Sequence, residues 1–282
     1  MKAQYQHELM TSFMLWFDNQ LLQKGEAYSN QTGSFYYFDD SRLPNSYSTF
    51  SSPYKQWVSD SSIIGEVNPI IPTSIIGVDR SDGLIFDFEN GRIIDTGSNF
   101  TPTENITGSF AVKDFSVYFS NQDEDDLILE NAFELNSRYG ELLSGVKPYD
   151  QVVPAIFLNC EYMRNNGFAF GGEDKTTNTI KGVVFAENSY QLDGVLSIFA
   201  DSARKVIAKI PFSEYPSTEY GDIKNGSYDY VNLSNTYLDS NPYYIEDVTV
   251  SKFSEKTTSK IPRGLQIGFI DFEVCTSRFP RS

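Results

Sequence analysis

The sequence predicts a mainly β protein, an antiparallel β-sandwich or barrel with an N-terminal amphipathic helix and a long extended arm. Short apolar runs follow one another closely from residue 61 onward, and no regular alternation with helices separates them. Asn90 and Gly91 stand between two alternating runs, which is a strong hairpin signal. The 22 Phe, 18 Tyr and 2 Trp supply the aromatic side chains that strands favour.

The segment from Ala3 to Lys24 has the apolar periodicity of an amphipathic helix, and Gly25 then offers a helix stop. Two interpretations of its apolar face are open. The face packs on the chain's own β domain, or it docks on a neighbouring subunit. On the second interpretation, the candidate partner-interface residues of the helix are Leu9, Phe13, Trp16, Phe17 and Leu21.

Residues 26–60 form a long polar and aromatic stretch with few periodic runs. Such a length without clear structure is unusual inside a compact domain, and it predicts an extended arm that contacts with other chains would order. The alternative is a surface loop with a short strand at Ser34–Phe38. The aromatic residues of the arm that join the candidate partner interface are Tyr36, Tyr37, Tyr54 and Trp57.

Residues 61–282 are predicted to form the β-rich domain, and a division into two subdomains near residues 140–150 is left open. Roughly nine or ten strands are expected. The alternation in residues 108–120 slips at Lys113 and Asp114, and residues 121–135 are interpreted as a helix, with a strand as the alternative. Besides the hairpin at 83–95, the predicted strands are 74–78, 108–120, 152–160, 179–186, 194–200, 205–210, 243–253 and 264–276.

The net charge of −16 and the pI near 4.4 oppose unspecific attraction to nucleic acid or to an anionic membrane. The sequence has no apolar run long enough to span a bilayer and no apolar N-terminal run typical of a signal peptide, so we expect neither feature. Cys160 and Cys275 both lie in apolar runs and are interpreted as small buried side chains in a reducing compartment.

Residue types that carry reaction chemistry are scarce. His7 is the one histidine, and the sequence contains no phosphate-binding, metal-binding or nucleophile motif. The acidic run Asp123–Asp126 is interpreted as a helix start on a solvated face, with a calcium site as the alternative. The sequence therefore predicts no enzyme, and it predicts no catalytic, cofactor-binding or metal-ligating residue.

Two pairs of carboxylates have the spacing of neighbours on one face of a strand. Asp87 and Glu89 form the first pair, and Asp271 and Glu273 form the second. Paired carboxylates serve glycosidases. Here apolar residues alternate with the acids along each run, so both pairs are interpreted as residues of a solvated outer face.

A carbohydrate-binding β-sandwich, used in host adhesion, is the alternative function. Exposed aromatic rings form platforms on which sugars stack. This interpretation requires several aromatic residues to share one surface, and the candidates are Tyr36, Tyr37, Tyr54, Trp57, Tyr243 and Tyr244.

The whole chain resembles the virion structural proteins of tailed bacteriophages. A short aromatic helix, a polar aromatic arm and strands rich in Asn, Ser and Tyr follow one another along the sequence. The segments that carry the resemblance are LIFDFENGRIID (84–95), FAVKDFSVYFSN (110–121), NSYQLDGVLSIFAD (188–201) and IGFIDFEVCTSRFPR (267–281).

The resemblance implies a neck or tail protein, such as a connector, a terminator or a tail-associated ring subunit. Its partners would be other copies of itself in a homo-oligomeric ring, together with other virion proteins. It would be located in the virion after assembly in the host cytoplasm, with passive contact to packaged DNA and no sequence-specific binding. The resemblance brings no catalytic residue with it.

Overall fold

The predicted mainly β class with an N-terminal helix is confirmed. The structure is a computed structural model, and two antiparallel or mixed sheets dominate it. It describes residues 2–41, 43–65, 68–72, 83–120, 122, 127–128, 134–135, 152–167, 171–216, 226–253 and 265–279.

Helix α1 spans Tyr5–Gly25, as the periodicity predicts. At its start, the Gln4 backbone N–H donates to His7 Nδ1 at 3.0 Å, so the lone histidine takes part in a capping box. At its end, Glu26 adopts a left-handed conformation with φ of 44° and closes the helix directly after Gly25.

The first sheet has five strands, and all its pairings are antiparallel. Its spatial order is β3-β4-β2-β1-β5. The strands are β1 (Tyr28–Phe38), β2 (Ser48–Ser51), β3 (Leu84–Asp87), β4 (Arg92–Asp95) and β5 (Ile106–Lys113).

The predicted arm over 26–60 is not an extended arm. Strand β1 pairs with β5 from Tyr28 opposite Lys113 to Phe35 opposite Ile106, and β2 lies between β1 and β4. The sheet therefore takes strands from both sides of the predicted boundary at residue 60. The sequence obscures this because polar side chains occupy most of β1, so no apolar alternation marks the strand.

The Asn90-Gly91 pair forms the expected hairpin, which joins β3 and β4. The connecting turn runs over residues 88–91, and Gly91 has a φ of 64°. A Cβ at Gly91 would lie 1.8 Å from the Tyr54 carbonyl oxygen, so glycine is required there both for conformation and for space.

The second sheet has six strands in the order β11-β12-β13-β10-β9-β6. The β6–β9 pairing is parallel, and the others are antiparallel. Two short strands, β7 (Glu134–Leu135) and β8 (Val152–Val153), form a separate parallel pair. The strands of the large sheet are β6 (Ser116–Phe119), β9 (Ala155–Gly167), β10 (Asp174–Ala186), β11 (Val206–Ile207), β12 (Tyr243–Lys252) and β13 (Gln266–Arg278).

The slip predicted at Lys113 and Asp114 marks the passage of the chain from one sheet to the other. Lys113 is the last residue of β5 and pairs with Tyr28 in the first sheet. Ser116 opens β6 and pairs with Ala155 in the second sheet. The broken alternation therefore reports a change of sheet rather than a bulge within one strand.

The strand predicted at 194–200 is wrong, because helix α2 spans Ser189–Ala200. The Asn188 side chain caps it by accepting from the Gln191 backbone N–H at 2.9 Å. The buried residues recur at helical spacing, at Leu192, Val195, Leu196 and Phe199. A further helix, α3 (Tyr230–Tyr237), was not predicted from its polar sequence.

The main core lies between one face of the second sheet and helices α1 and α2. Alternate residues of β13 show how the sheet is covered. Ile270 and Phe272 point into the helix layer, whereas Ile267 and Phe269 belong to a smaller cluster on the opposite face. Apolar residues therefore lie on both faces of β13, because a different layer covers each face of the sheet.

Other sequence predictions have mixed outcomes. Cys275 is buried, Cys160 is half-buried, and both thiols are free. The predicted strand at 74–78 and the acidic run at 123–126 lie outside the described residues.

Candidate functional site

The five helix residues predicted as a partner interface belong instead to the chain's own core. None is more than 3% exposed. Phe17 stacks on Phe199 with ring centroids 3.9 Å apart, and Phe13 meets Phe272 edge-on at 4.9 Å. The structure therefore corrects the interface prediction in favour of the intramolecular interpretation for Leu9, Phe13, Trp16, Phe17 and Leu21.

Trp57 is also a core residue rather than an interface residue. It is buried, and its indole stacks on Phe110 with centroids 4.7 Å apart. Its backbone forms a bridge to Val112, so residues 56–58 run along the outer edge of β5. Tyr54 is half-buried against Phe110 at 6.1 Å, where it borders the same cluster.

Tyr36 and Tyr37 are the predicted interface residues that lie on the surface. Their exposed fractions are 57% and 44%. They are neighbours at the end of β1, where Tyr36 is opposite Ser51 and Tyr37 is opposite Phe50. Successive strand residues point to opposite faces, so the pair presents a phenol on each face of the β1–β2 hairpin.

The β1–β2 hairpin is held firmly at the point where the tyrosines emerge. Arg92 and Asp40 form a buried ion pair with an Nη1–Oδ2 distance of 2.9 Å, and the Arg92 guanidinium lies 5.1 Å from the Phe38 ring centroid. Tyr47, in the loop of the hairpin, adds a third partly exposed phenol that sequence reasoning missed. Tyr47 stands among polar residues without apolar periodicity, so no sequence pattern distinguished it.

The six aromatic residues proposed as a sugar platform do not share a surface. Tyr243 and Trp57 are buried in different clusters. Tyr244 is exposed, but it lies on β12 in the second sheet, whereas Tyr36 and Tyr37 lie in the first. The platform on which the adhesion alternative depends is therefore not formed by this set.

A buried ion pair joins α1 to the first sheet, and the sequence analysis did not find it. Lys113 Nζ lies 2.8 Å from Asp18 Oδ2, and both side chains are buried. The Tyr228 hydroxyl donates to the same Asp18 oxygen at 3.2 Å. Burial, followed by the nearby Asp18 charge, raises the pKa of Tyr228 well above its usual value, so this phenol stays protonated.

A second buried carboxylate, Asp60, gathers four hydrogen bonds from three parts of the chain. Asn19 Nδ2 donates to Oδ2 at 2.9 Å, while the Ser62 hydroxyl and backbone N–H and the Tyr230 backbone N–H donate to Oδ1 at 2.7–3.0 Å. Burial raises the pKa of Asp60 despite these bonds. The hydrogen bonds of Asp18 and Asp60 hold α1 against residues 59–62 and 228–230. Because both carboxylates are buried, we assign them a role in stabilising the fold.

The solvated position predicted for the two carboxylate pairs is found for Glu89 and Glu273, whereas Asp87 and Asp271 are half-buried. Asp87 accepts from Asn90 within the turn, and Glu89 lies exposed in that turn. Asp271 is half-buried on β13, and burial raises its pKa, while Glu273 is exposed two residues on.

Within the described ranges, no three His, Cys, Asp or Glu side chains are grouped closely enough to hold a metal ion. The described helices likewise include none with the length and apolar character needed to cross a membrane.

The chain matches no protein-family model and no curated protein sequence.

Proposed function

We propose that this chain is a structural subunit that works through contacts with other protein chains, as a neck or tail component of a tailed bacteriophage virion. The observation that carries the proposal is the pair Tyr36 and Tyr37, which stand exposed on an anchored hairpin. The overall resemblance of the sequence to phage virion proteins supports the location in the virion.

Exposed tyrosines on a rigid hairpin suit a protein interface for a physical reason. Tyrosine offers a large contact area at low conformational-entropy cost, and its hydroxyl can form a hydrogen bond at the rim of an interface. The buried Arg92–Asp40 pair and the contact of the Tyr37 ring with Phe50, 5.9 Å between centroids, reduce the mobility of this support. Binding of a partner would therefore cost little conformational entropy in this hairpin.

The charge of the chain suits this role as well. A net charge of −16 keeps the surface from binding packaged DNA tightly, while passive contact with DNA is tolerated. The role requires no catalytic residue, cofactor or metal. Contacts within a homo-oligomeric ring and with other virion proteins would be formed by surface side chains such as the two tyrosines.

Mass spectrometry of purified virions from the phage that encodes this chain tests the proposal. We expect the chain in the particle at the copy number of a structural protein. Complementation with Tyr36→Ala/Tyr37→Ala should lower its incorporation without unfolding it. Tyr190→Ala is the matched control, because Tyr190 is 88% exposed on α2, far along the chain from the hairpin. Absence of the wild-type chain from virions would refute the virion role.

A further inference from the structure

Among the residues that the structure describes, the outer edge of the second sheet is covered only along the first half of β9. Strand β6 pairs with Ala155–Leu158, and the Ser120 backbone N–H donates to the Leu158 carbonyl at 2.9 Å. Beyond the bulge at Glu161, Tyr162–Gly167 pairs with β10 on one side, and no described strand pairs with it on the other. All seven residues from Glu161 to Gly167 are exposed.

This uncovered half-strand is nevertheless well formed. Its ladder with β10 continues to Gly167 opposite Asp174. Side-chain bonds reinforce it, because Thr176 Oγ1 donates to Asn165 Oδ1 at 2.8 Å and Arg164 Nε donates to Asn166 Oδ1 at 3.0 Å. An ordered edge with unpaired backbone groups is a template for another strand.

The edge also carries apolar surface where a second strand would lie. Tyr162 is 55% exposed, and Met163 is 46% exposed. Along a strand, the backbone N–H and C=O of alternate residues face the same edge, and those of Leu158 face the outer edge. The bulge between the partners of Ile180 and Thr179 shifts this alternation by one residue, so the backbone N–H and C=O of Met163 face the free edge. Met163 therefore combines a free backbone pair with an exposed apolar side chain.

We infer that this edge pairs antiparallel with the same edge of a second copy of the chain, about a two-fold axis at Met163. The inference rests on the proposed function, contact between subunits, and names one such contact. The two Met163 residues would exchange both backbone hydrogen bonds. On either side of the axis, Tyr162 of one copy would lie opposite Arg164 of the other.

The edge is complementary to itself when the axis lies at Met163, which favours a second copy as the occupant and selects this register over its neighbours. An axis at Arg164 would place two guanidinium groups directly opposite each other, which is destabilising. An axis at Asn165 would place Met163 opposite Gly167, where no side chain can cover it. The axis at Met163 instead provides two Tyr162–Arg164 contacts of the cation–π type and opposes no like charges.

Two features set the strength of this dimer. The bulge at Glu161 ends the regular pairing, so the shared ladder is short. Each copy also carries a net charge of −16, so the copies repel each other at long range. Added salt screens that repulsion, and the dimer should therefore strengthen as ionic strength rises.

Disulfide trapping of the full chain tests the register. Opposed residues of an antiparallel pair lie about 5.5 Å apart at Cα, within the span of a disulfide. Under mild oxidation Met163→Cys should form a covalent dimer at least about tenfold faster than Gly167→Cys. In this register the two Gly167 positions are about 27 Å apart. A Cβ at Gly167 meets only Asp174 Oδ1, at 4.0 Å, so this control should fold normally. The wild-type chain shows the background from Cys160 and Cys275.

Sedimentation velocity of the wild-type chain completes the test. We expect a monomer–dimer equilibrium that shifts toward dimer with concentration and with salt, and that Met163→Pro weakens. Equal trapping of the two cysteine variants, or a monomer at every concentration, would overturn the inference and leave the edge to a strand from a different protein. A monomer that is still found in virions would refute only this dimer. A dimer absent from virions would refute only the virion role.

Discussion

Helix α1 and the β1–β2 hairpin are adjacent in sequence and both rich in aromatic residues, yet the fold buries the aromatic face of the helix and leaves two consecutive tyrosines of the hairpin exposed. The helix places Phe13, Trp16 and Phe17 in the main core, in ring contact with Phe199 and Phe272. The hairpin leaves Tyr36 and Tyr37 on the surface. Density of aromatic residues therefore does not distinguish a core element from a contact surface.

The arrangement of the aromatics accounts for the difference. On α1 they recur at helical spacing, so they form one stripe that a sheet and a second helix can cover together. On β1 Tyr36 and Tyr37 are consecutive, so a single covering layer cannot bury both. The phenol hydroxyls also tolerate water, which Phe side chains do not.

The largest expected effect is a loss of stability when a core residue of helix α1 is truncated. Phe17→Ala should lower the free energy of unfolding by about 3–5 kcal/mol, because it leaves a cavity beside Phe199. Tyr36→Ala should change it by less than about 0.5 kcal/mol, since that ring is mostly exposed. Urea unfolding followed by circular dichroism measures both values. Similar losses in the two variants would contradict the contrast between the regions.

The buried ion pair tests how α1 is held to the first sheet. Lys113→Met should cost about 3–5 kcal/mol, because it leaves the Asp18 carboxylate buried without its cation. Adding Asp18→Asn should restore most of that loss, since the double variant buries no charge. A double-mutant cycle from urea unfolding gives the coupling. Additive losses would mean that the two side chains do not interact.

Substitution of Gly91 tests the β3–β4 turn of the first sheet, the sheet to which the β1–β2 hairpin belongs. Gly91→Ala should cost about 1–3 kcal/mol from the left-handed backbone alone, and more from its clash with the Tyr54 carbonyl. Gly194→Ala on α2 is the matched control, because a Cβ there meets nothing within 4 Å. It should stabilise the protein by about 0.5–1 kcal/mol through helix propensity. Thermal unfolding of both variants would show shifts of opposite sign.

The smallest expected effect is a pH dependence at Asp60, which anchors α1 through Asn19. Burial raises the pKa of Asp60 in the folded state, so the folded protein binds its proton more tightly than the unfolded chain. Its contribution to stability is therefore greatest below the unfolded pKa and declines as pH rises toward the folded pKa. Relative to Asp60→Asn, the wild type should lose stability from about pH 4 upward. Parallel pH profiles of the two proteins would refute this.

Sequence reasoning located the elements that a local pattern of residues marks. The stripe of α1, the Asn90-Gly91 hairpin and the break at Lys113 each carry a local signal, and each corresponds to a structural feature. It failed where local signals mislead. Residues 194–200 are apolar enough for a strand, but the Asn188 cap starts a helix upstream of them. The polar strand β1 lacked the alternation that would have identified it.

The candidate contact surface could be predicted only in part. Tyr36 and Tyr37 were predicted and lie exposed, while Trp57 and the helix residues were predicted and lie buried. The edge of β9 that no described strand covers had no sequence signal, because residues 161–167 are mostly polar and continue past the end of the strand predicted at 152–160.

The sequence by itself determined the mainly β class, the amphipathic helix and the scarcity of reactive side chains, because these depend on residue types and local spacing. Tertiary structure alone decided which aromatic residues are buried, how Lys113 meets Asp18, and which strand edge stays open. Those outcomes depend on residues far apart in the chain, since burial and ion pairing arise only when one element covers another.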